Sequence, residues 1–86
     1  MLKICVIRSQ WCTDPHVRGT YSFEKVGYSK DNVSHNAKLA EPLVNEEGRS
    51  VLLFAGEATN PIHYSTVHGA VESGKREAER IIELLK

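Results

Sequence analysis

The run Val51-Leu52-Leu53-Phe54-Ala55, led in by Ser50 and ended by Gly56, is apolar at every position. A strand with one wet face alternates in polarity, whereas one apolar on both faces belongs inside a sheet covered above and below. This element near 50–55 therefore asks for pairing strands on both edges and helical layers on both sides. The remaining sequence offers little to satisfy it. A domain of 86 residues buries only about 60% of its extended surface and needs an efficient core, yet the chain holds one convincing helix and two irregular strands. The expectation is a part of a larger fold, marginal by itself or dependent on a partner.

The convincing helix spans residues 67–85, where Val67, Ala70, Val71, Gly74, Ala78, Ile81, Ile82 and Leu85 recur at intervals of three and four, the amphipathic pattern. On its outer face Glu72 precedes Arg76, and Lys75 precedes Glu79, by the four residues that let side chains pair. Ala70, Gly74 and Ala78 form a stripe of small residues that predicts close packing of the first half. Gly74 costs about 1 kcal/mol relative to Ala, and proximity must compensate. Upstream, residues 3–8 read as a strand from the β-branched Ile4, Val6 and Ile7. Thr13-Asp14-Pro15 supplies a turn, with Trp11 as a packing residue beneath it. Residues 17–23 read as a second extended run interrupted by Gly19. Residues 27–48 read as a polar surface excursion with a weak helix over 33–39 closed by Pro42.

Composition excludes several classes. Eleven Lys+Arg against 11 Asp+Glu give a formal net charge of +0, leaving no basic surplus for nucleic-acid phosphates. With 41% hydrophobic and 26% charged residues and only 3 Pro, disorder is not expected. The longest apolar run falls far short of the roughly 20 residues of a membrane span, so no membrane anchor is expected. The first eight residues carry no signal-peptide pattern, which predicts a reducing compartment, with Cys5 and Cys12 as free thiols. The last four residues, Glu83-Leu84-Leu85-Lys86, lack a peroxisomal tripeptide, so the cytosol is the default. Among Cys5, Cys12, His16, His35, His63 and His68 no close spacing of the kind zinc sites favour occurs. No metal is expected.

A buried strand that ends in Gly and leads through a loop to a helix start is where open α/β sheets bind ligands, because free N–H groups and the positive end of the helix dipole converge there. Here that unit is Phe54-Ala55-Gly56-Glu57-Ala58-Thr59, then Asn60-Pro61-Ile62-His63-Tyr64-Ser65, then a helix starting near Thr66. Gly56 permits close backbone approach, and Glu57 is placed to accept hydrogen bonds from hydroxyls of a ribityl or ribose chain. A turn of this kind also serves simply to reverse the chain.

Several blocks occur in register: Arg8-Ser9-Gln10-Trp11 through Asp14-Pro15, Arg18-Gly19-Thr20-Tyr21-Ser22-Phe23, Leu39-Ala40-Glu41-Pro42-Leu43, Leu53 through Thr59, Tyr64-Ser65-Thr66-Val67-His68-Gly69-Ala70, and Ser73-Gly74-Lys75-Arg76-Glu77-Ala78. In order and spacing they resemble the C-terminal end of flavin-containing amine oxidases, most of all the animal spermine and acetylpolyamine oxidases. Lysine-specific histone demethylases share the R-G-x-Y-S and T-V-H-G-A elements. The resemblance implies an α/β fold, the C-terminal part of an FAD-binding, Rossmann-like amine oxidase. Residues 1–86 would form a single partial domain, with 1–49 as substrate-side strands and surface loop and 50–86 as the FAD-binding strand-loop-helix.

The resemblance also implies roles. Gly56, Glu57, Thr66 and Val67 would bind FAD, Glu57 at the ribityl and diphosphate region, Thr66 and Val67 at the ring. Tyr21 would stand beside the substrate amine, with Thr66 where several relatives carry a second aromatic residue. His16, Cys12 and Asn60-Pro61 depart from the family pattern, and His68 and Ser73 read as capping or packing residues. The complete enzyme would oxidise a secondary amine of a polyamine with O2 to an imine, releasing hydrogen peroxide. The family's G-x-G-x-x-G fingerprint and the lysine near the flavin are not among these residues. The isolated chain is therefore expected to be inactive and not to hold FAD tightly, and its partner is the rest of the FAD and substrate domains. The alternatives are a noncatalytic truncated or split module that binds a partner, or a piece of a histone demethylase.

Overall fold

The computed structural model describes residues 3–25 and 34–86. In chain order the regular elements are helix α1 (His35–Leu39), strand β1 (Leu43–Val44), strand β2 (Ser50–Leu52), a 3-10 turn (Glu57–Thr59) and helix α2 (Val67–Leu84). The long helix lies where its periodicity predicts. Its first turn is capped by Thr66, whose hydroxyl accepts from the Gly69 N–H, the usual service of an N-cap side chain. The shorter α1 is capped in the same way by Ser34, which accepts from the Ala37 N–H. The expected start of that helix, Val33, and the earlier part of the polar excursion at 27–32 lie outside the described residues.

The strand expectations need correction. Residues 3–8 form no strand among the described residues, and Ile4, Val6 and Ile7 are exposed. β-Propensity measures fit to a neighbouring strand, and the described residues supply none for this segment. Residues 17–23 do not form a strand either, because Arg18 at φ 65 and Gly19 at φ 156 break the extended path. The turn at 13–15 is real and broader. Asp14 accepts at its carbonyl from Val17 and Arg18 and at its carboxylate from the His16 N–H. Trp11 lies at the start of this double turn and is 56% exposed, so it is not packed beneath it.

The run at 50–55 contributes only three residues to a strand, and that strand is not buried: Val51 is 61% and Leu52 48% exposed. Among the described residues β2 pairs antiparallel with β1 alone, Leu43 opposite Leu52 and Val44 opposite Ser50. The hairpin between them was hidden in the supposed excursion. Asn45 builds its turn, the side-chain oxygen accepting from the Glu47 and Arg49 amides, and Gly48 takes φ 78, a left-handed conformation that suits glycine.

The interior is polar. Ala40 is the only buried hydrophobic residue among those described, beside buried Asn36, Thr59, Asn60, Ser73 and Glu77. Both helices pack on the 3-10 turn. The radius of gyration is 17.9 Å, against about 12 Å for a compact domain of this length. Meanwhile Val67, Val71, Ile81, Ile82 and Leu85 of the helix stripe face outward. The inward face of α2 is Gly69, Ser73 and Glu77, one position away from the expected stripe. Gly74 and Ala78 are exposed and Ala70 is half-buried. Nor does Glu72 pair with Arg76: Glu72 turns to Asn60 and His63, and Arg76 to Phe54 and Thr59.

Ser73 is the pin of this inner face. It is 1% exposed, accepts from the Gly56 N–H at 2.8 Å and donates to the Ala70 carbonyl at 2.7 Å. A Ser73→Ala chain leaves the Gly56 N–H unpartnered, which costs about 1–3 kcal/mol. Hydrogen exchange at the Gly56 amide should accelerate several-fold more than at the middle of α2, and equal acceleration would count against this role.

Candidate functional site

The loop from Gly56 to Thr66 is held from three sides. Gly56, at φ 144, ends the apolar run, and nothing stands within 4 Å of where a Cβ would lie. Glu57 opens the 3-10 turn. Its Oε1 accepts from the Ser22 N–H at 2.8 Å, and its Oε2 accepts from the Ser22 hydroxyl at 2.6 Å and from the Ser65 N–H at 2.6 Å. The Ser65 hydroxyl donates in turn to the Ser22 carbonyl. Ser65 sits at φ 65, so the chain turns sharply there before the Thr66 cap starts α2.

The Ser22 hydroxyl is the largest influence holding the Glu57 carboxyl below its ordinary value. Partial burial opposes it, and the Ser65 and Ser22 amides reinforce it. A second carboxylate that meets the loop, Glu72 of α2, is held low chiefly by His63 and Asn60. Each folded value lies below the unfolded one, so the stabilisation is present above the ordinary carboxylate range. It is lost as pH falls through the lowered folded values. Lowering the pH through the range in which the Glu57 carboxyl protonates should therefore reduce the protection factors of the Ser22 and Ser65 amides, corrected for intrinsic exchange, while the centre of α2 keeps its own. Simultaneous loss of both would contradict it.

Asn60 organises the second half of the loop. Its Oδ1 accepts from the Ile62 and His63 amides, and its Nδ2 donates to the Gly69 carbonyl and to Glu72. An Asn before a Pro that caps its own turn is a sequence-readable device, so Asn60-Pro61 is a structural element of the loop. His63 lies 2.9 Å from Glu72 through Nδ1 and 4.9 Å, ring to ring, from His68. Arg76 was missed altogether as a loop residue. Its Nη1 donates to the Thr59 carbonyl, its Nη2 to the Phe54 carbonyl and the Thr59 hydroxyl, and its Nε to Glu77.

The residues singled out by sequence meet at one end of α2. Glu57 is tied to Ser65, the neighbour of Thr66, and to Ser22, the neighbour of Tyr21. Val67 is 83% and Tyr21 70% exposed. The first N–H groups of a helix have no intrahelical acceptor, and the Thr66 hydroxyl takes only that of Gly69. Those of Val67 and His68 are left at the positive end of the dipole, beside an exposed apolar side chain. Among the described residues no group of three His, Cys, Asp or Glu side chains is arranged to hold a metal ion, and no helix is long and apolar enough to cross a membrane. Cys5 and Cys12 are free and exposed.

This strand-loop-helix lies within a match over residues 3–82 to the family described as flavin containing amine oxidoreductase. The chain belongs to that family. The peroxisomal N(1)-acetyl-spermine/spermidine oxidase of Bos taurus is 46% identical over 92% of this chain and 15% of that protein. Probable polyamine oxidase 5 of Arabidopsis thaliana is 41% identical over 94% of this chain and 17% of its own length. Lysine-specific histone demethylase 1 homolog 3 of the same plant is 39% identical over 96% of this chain and 5% of that protein. The chain thus spans about a sixth of the polyamine-oxidase relatives it matches. No solved structure matches it. As a flavin amine oxidase family member it is related to polyamine oxidases over most of its length.

Proposed function

We propose that these residues are the cofactor-edge section of an FAD-dependent polyamine oxidase, whose whole acts on a secondary amine of a polyamine. The observation that carries this reading is the junction of three family blocks at one helix tip: Ser22 after Tyr21, Glu57 after Gly56, and Ser65 before Thr66. The donor set suits a flavin. Two helix-start amides and a dipole end favour an electron-rich ring edge, exposed Val67 offers apolar contact, and the open space at Gly56 admits close approach. A carboxylate has about four acceptor positions. Three are used at Glu57, leaving one for a cofactor hydroxyl.

Gly56, Glu57, Thr66 and Val67 would hold the FAD, and Tyr21, with Thr66, would face the amine. Bound FAD supplies the two-electron oxidation of the amine carbon–nitrogen bond. The chain's own residues bind and orient: the α2 tip stabilises negative charge at the ring edge, and Tyr21 offers an aromatic face to an alkylammonium group. In this reading the segment at 50–55 becomes a buried strand of a Rossmann-like sheet once the remaining layers cover it, and 1–86 forms one partial domain. The outward apolar stripe of α2 supports that need for cover. It also supports the expectation that 86 residues alone do not retain FAD.

The test is a bovine N(1)-acetyl-spermine/spermidine oxidase in which the matching segment is exchanged for this chain. It should retain flavin through gel filtration and release hydrogen peroxide with an acetylated polyamine, while the isolated chain retains none. A well-folded exchange protein without flavin overturns the reading.

A further inference from the structure

The Glu57 carboxylate is committed to protein groups before any ligand arrives. It takes two hydrogen bonds from Ser22, 35 residues away, and one from Ser65, eight residues away. Ser65 closes the ring by donating to the Ser22 carbonyl. One carboxylate thus fastens the segment carrying Tyr21 to the residue before the Thr66 cap of α2. Among the described residues Ala40 is the only buried apolar side chain, so no apolar cluster does this work. A carboxylate with three donors from two separate segments fixes both at the lengths of charge-assisted hydrogen bonds.

We infer that Glu57 is a positioning residue which, through Ser22 and Ser65, sets the place of the amine-facing Tyr21 relative to the flavin-facing start of α2. This rests on the flavin reading for what the two sides face, but not for the bridge itself. A carboxylate that served only to hold a cofactor hydroxyl would leave Ser22 without a part in amine handling. The bridge gives Ser22 one, although Ser22 has no assigned contact with either flavin or amine. Loss of the Ser22 hydroxyl removes one of the two hydrogen bonds Ser22 gives the carboxylate and leaves the Glu57 carboxylate present for the cofactor.

Two measurements test it. In the 86-residue chain, the Ser22 and Ser65 amide resonances should both follow the titration of the Glu57 carboxyl. Ser22→Ala should move the midpoint seen at Ser65 upward, because the largest influence holding that carboxyl low is the Ser22 hydroxyl. Independent titration of the two amides, or an unmoved Ser65 midpoint, overturns the bridge whether or not any flavin binds. In the bovine exchange protein, Ser22→Ala should raise KM for the amine about tenfold, the scale of one lost charge-assisted hydrogen bond, with flavin content unchanged. Ser22→Thr, which keeps the hydroxyl, should restore most of it. Flavin lost in proportion to activity, or an unchanged KM, overturns the positioning role. An exchange protein that never takes up flavin overturns the polyamine oxidase reading instead, and the titration then decides the bridge alone.

Discussion

Adding one methyl group at Gly69 should unseat the start of α2, while adding the same group five residues later should strengthen the helix. A Cβ at Gly69 would lie 2.0 Å from the His63 carbonyl oxygen, 2.8 Å from its carbon and 2.8 Å from the Thr66 hydroxyl. Two of those atoms are backbone held by the Asn60 turn, so no rotamer change relieves the overlap. Overpacking of this kind costs about 1–3 kcal/mol and occasionally more, and here it falls on the cap itself. Gly74 has nothing within 4 Å of a Cβ and a helical backbone, so Gly74→Ala should gain about 1 kcal/mol. Urea unfolding followed by the helical signal at 222 nm should separate the two variants by roughly 3 kcal/mol. Equal midpoints would mean that the close approach at His63 is not a feature of the folded chain.

The opposite signs at Gly69 and Gly74 show where sequence reasoning succeeded and where it stopped. Eighteen residues of repeating apolar positions specify a helix whatever it packs against, so α2 was legible. Which of its faces turns inward was not. Val67, Val71, Ile81 and Ile82 drew the expected buried face toward Ala70, Gly74 and Ala78, but among the described residues nothing covers that stripe. Polar contacts decide the facing instead: Ser73 to Gly56, Asn60 to the Gly69 carbonyl and Arg76 to Thr59. They place Gly69, Ser73 and Glu77 inside. The same shortage explains the strands. Among the described residues, 3–8 has the composition of a strand and no pairing strand, and 50–55 has the pattern of a central strand with one short neighbour.

The site was legible as blocks rather than as contacts. Gly56-Glu57 and the Thr66 cap follow from local rules about strand ends and helix starts. The Ser22–Glu57 pairing has no local signature, because a serine 35 residues away looks like any other serine until the chain is folded. Asn60 is the exception. Its place before Pro61 gave a readable turn signal that the family comparison obscured, by making the pair look like a mere departure from pattern.

Arg76 offers the largest polar effect. Its guanidinium reaches four acceptors, the Phe54 and Thr59 carbonyls, the Thr59 hydroxyl and Glu77, at 2.7–3.1 Å. Glu77 has a side chain only 7% exposed, and its Oε1 also accepts from Arg80, which in turn reaches the Ala40 carbonyl. Its Oε2 has no partner among the described residues, so the buried charge is balanced through one oxygen. Arg76→Ala leaves that carboxylate with Arg80 alone and strips two carbonyls of their donor. Breaking a buried pair from one side costs about 3–5 kcal/mol, so about 3 kcal/mol is expected for a pair that keeps a second cation. Arg76→Lys should recover less than half, because a single ammonium does not span a carboxylate and two loop carbonyls in the way a planar fork does. Thr59 and Asn60 should lose amide protection in both variants while the far end of α2 keeps its own. If the lysine variant matches the native chain in midpoint and in protection at Thr59, charge alone holds this loop, and the fork geometry is irrelevant to it.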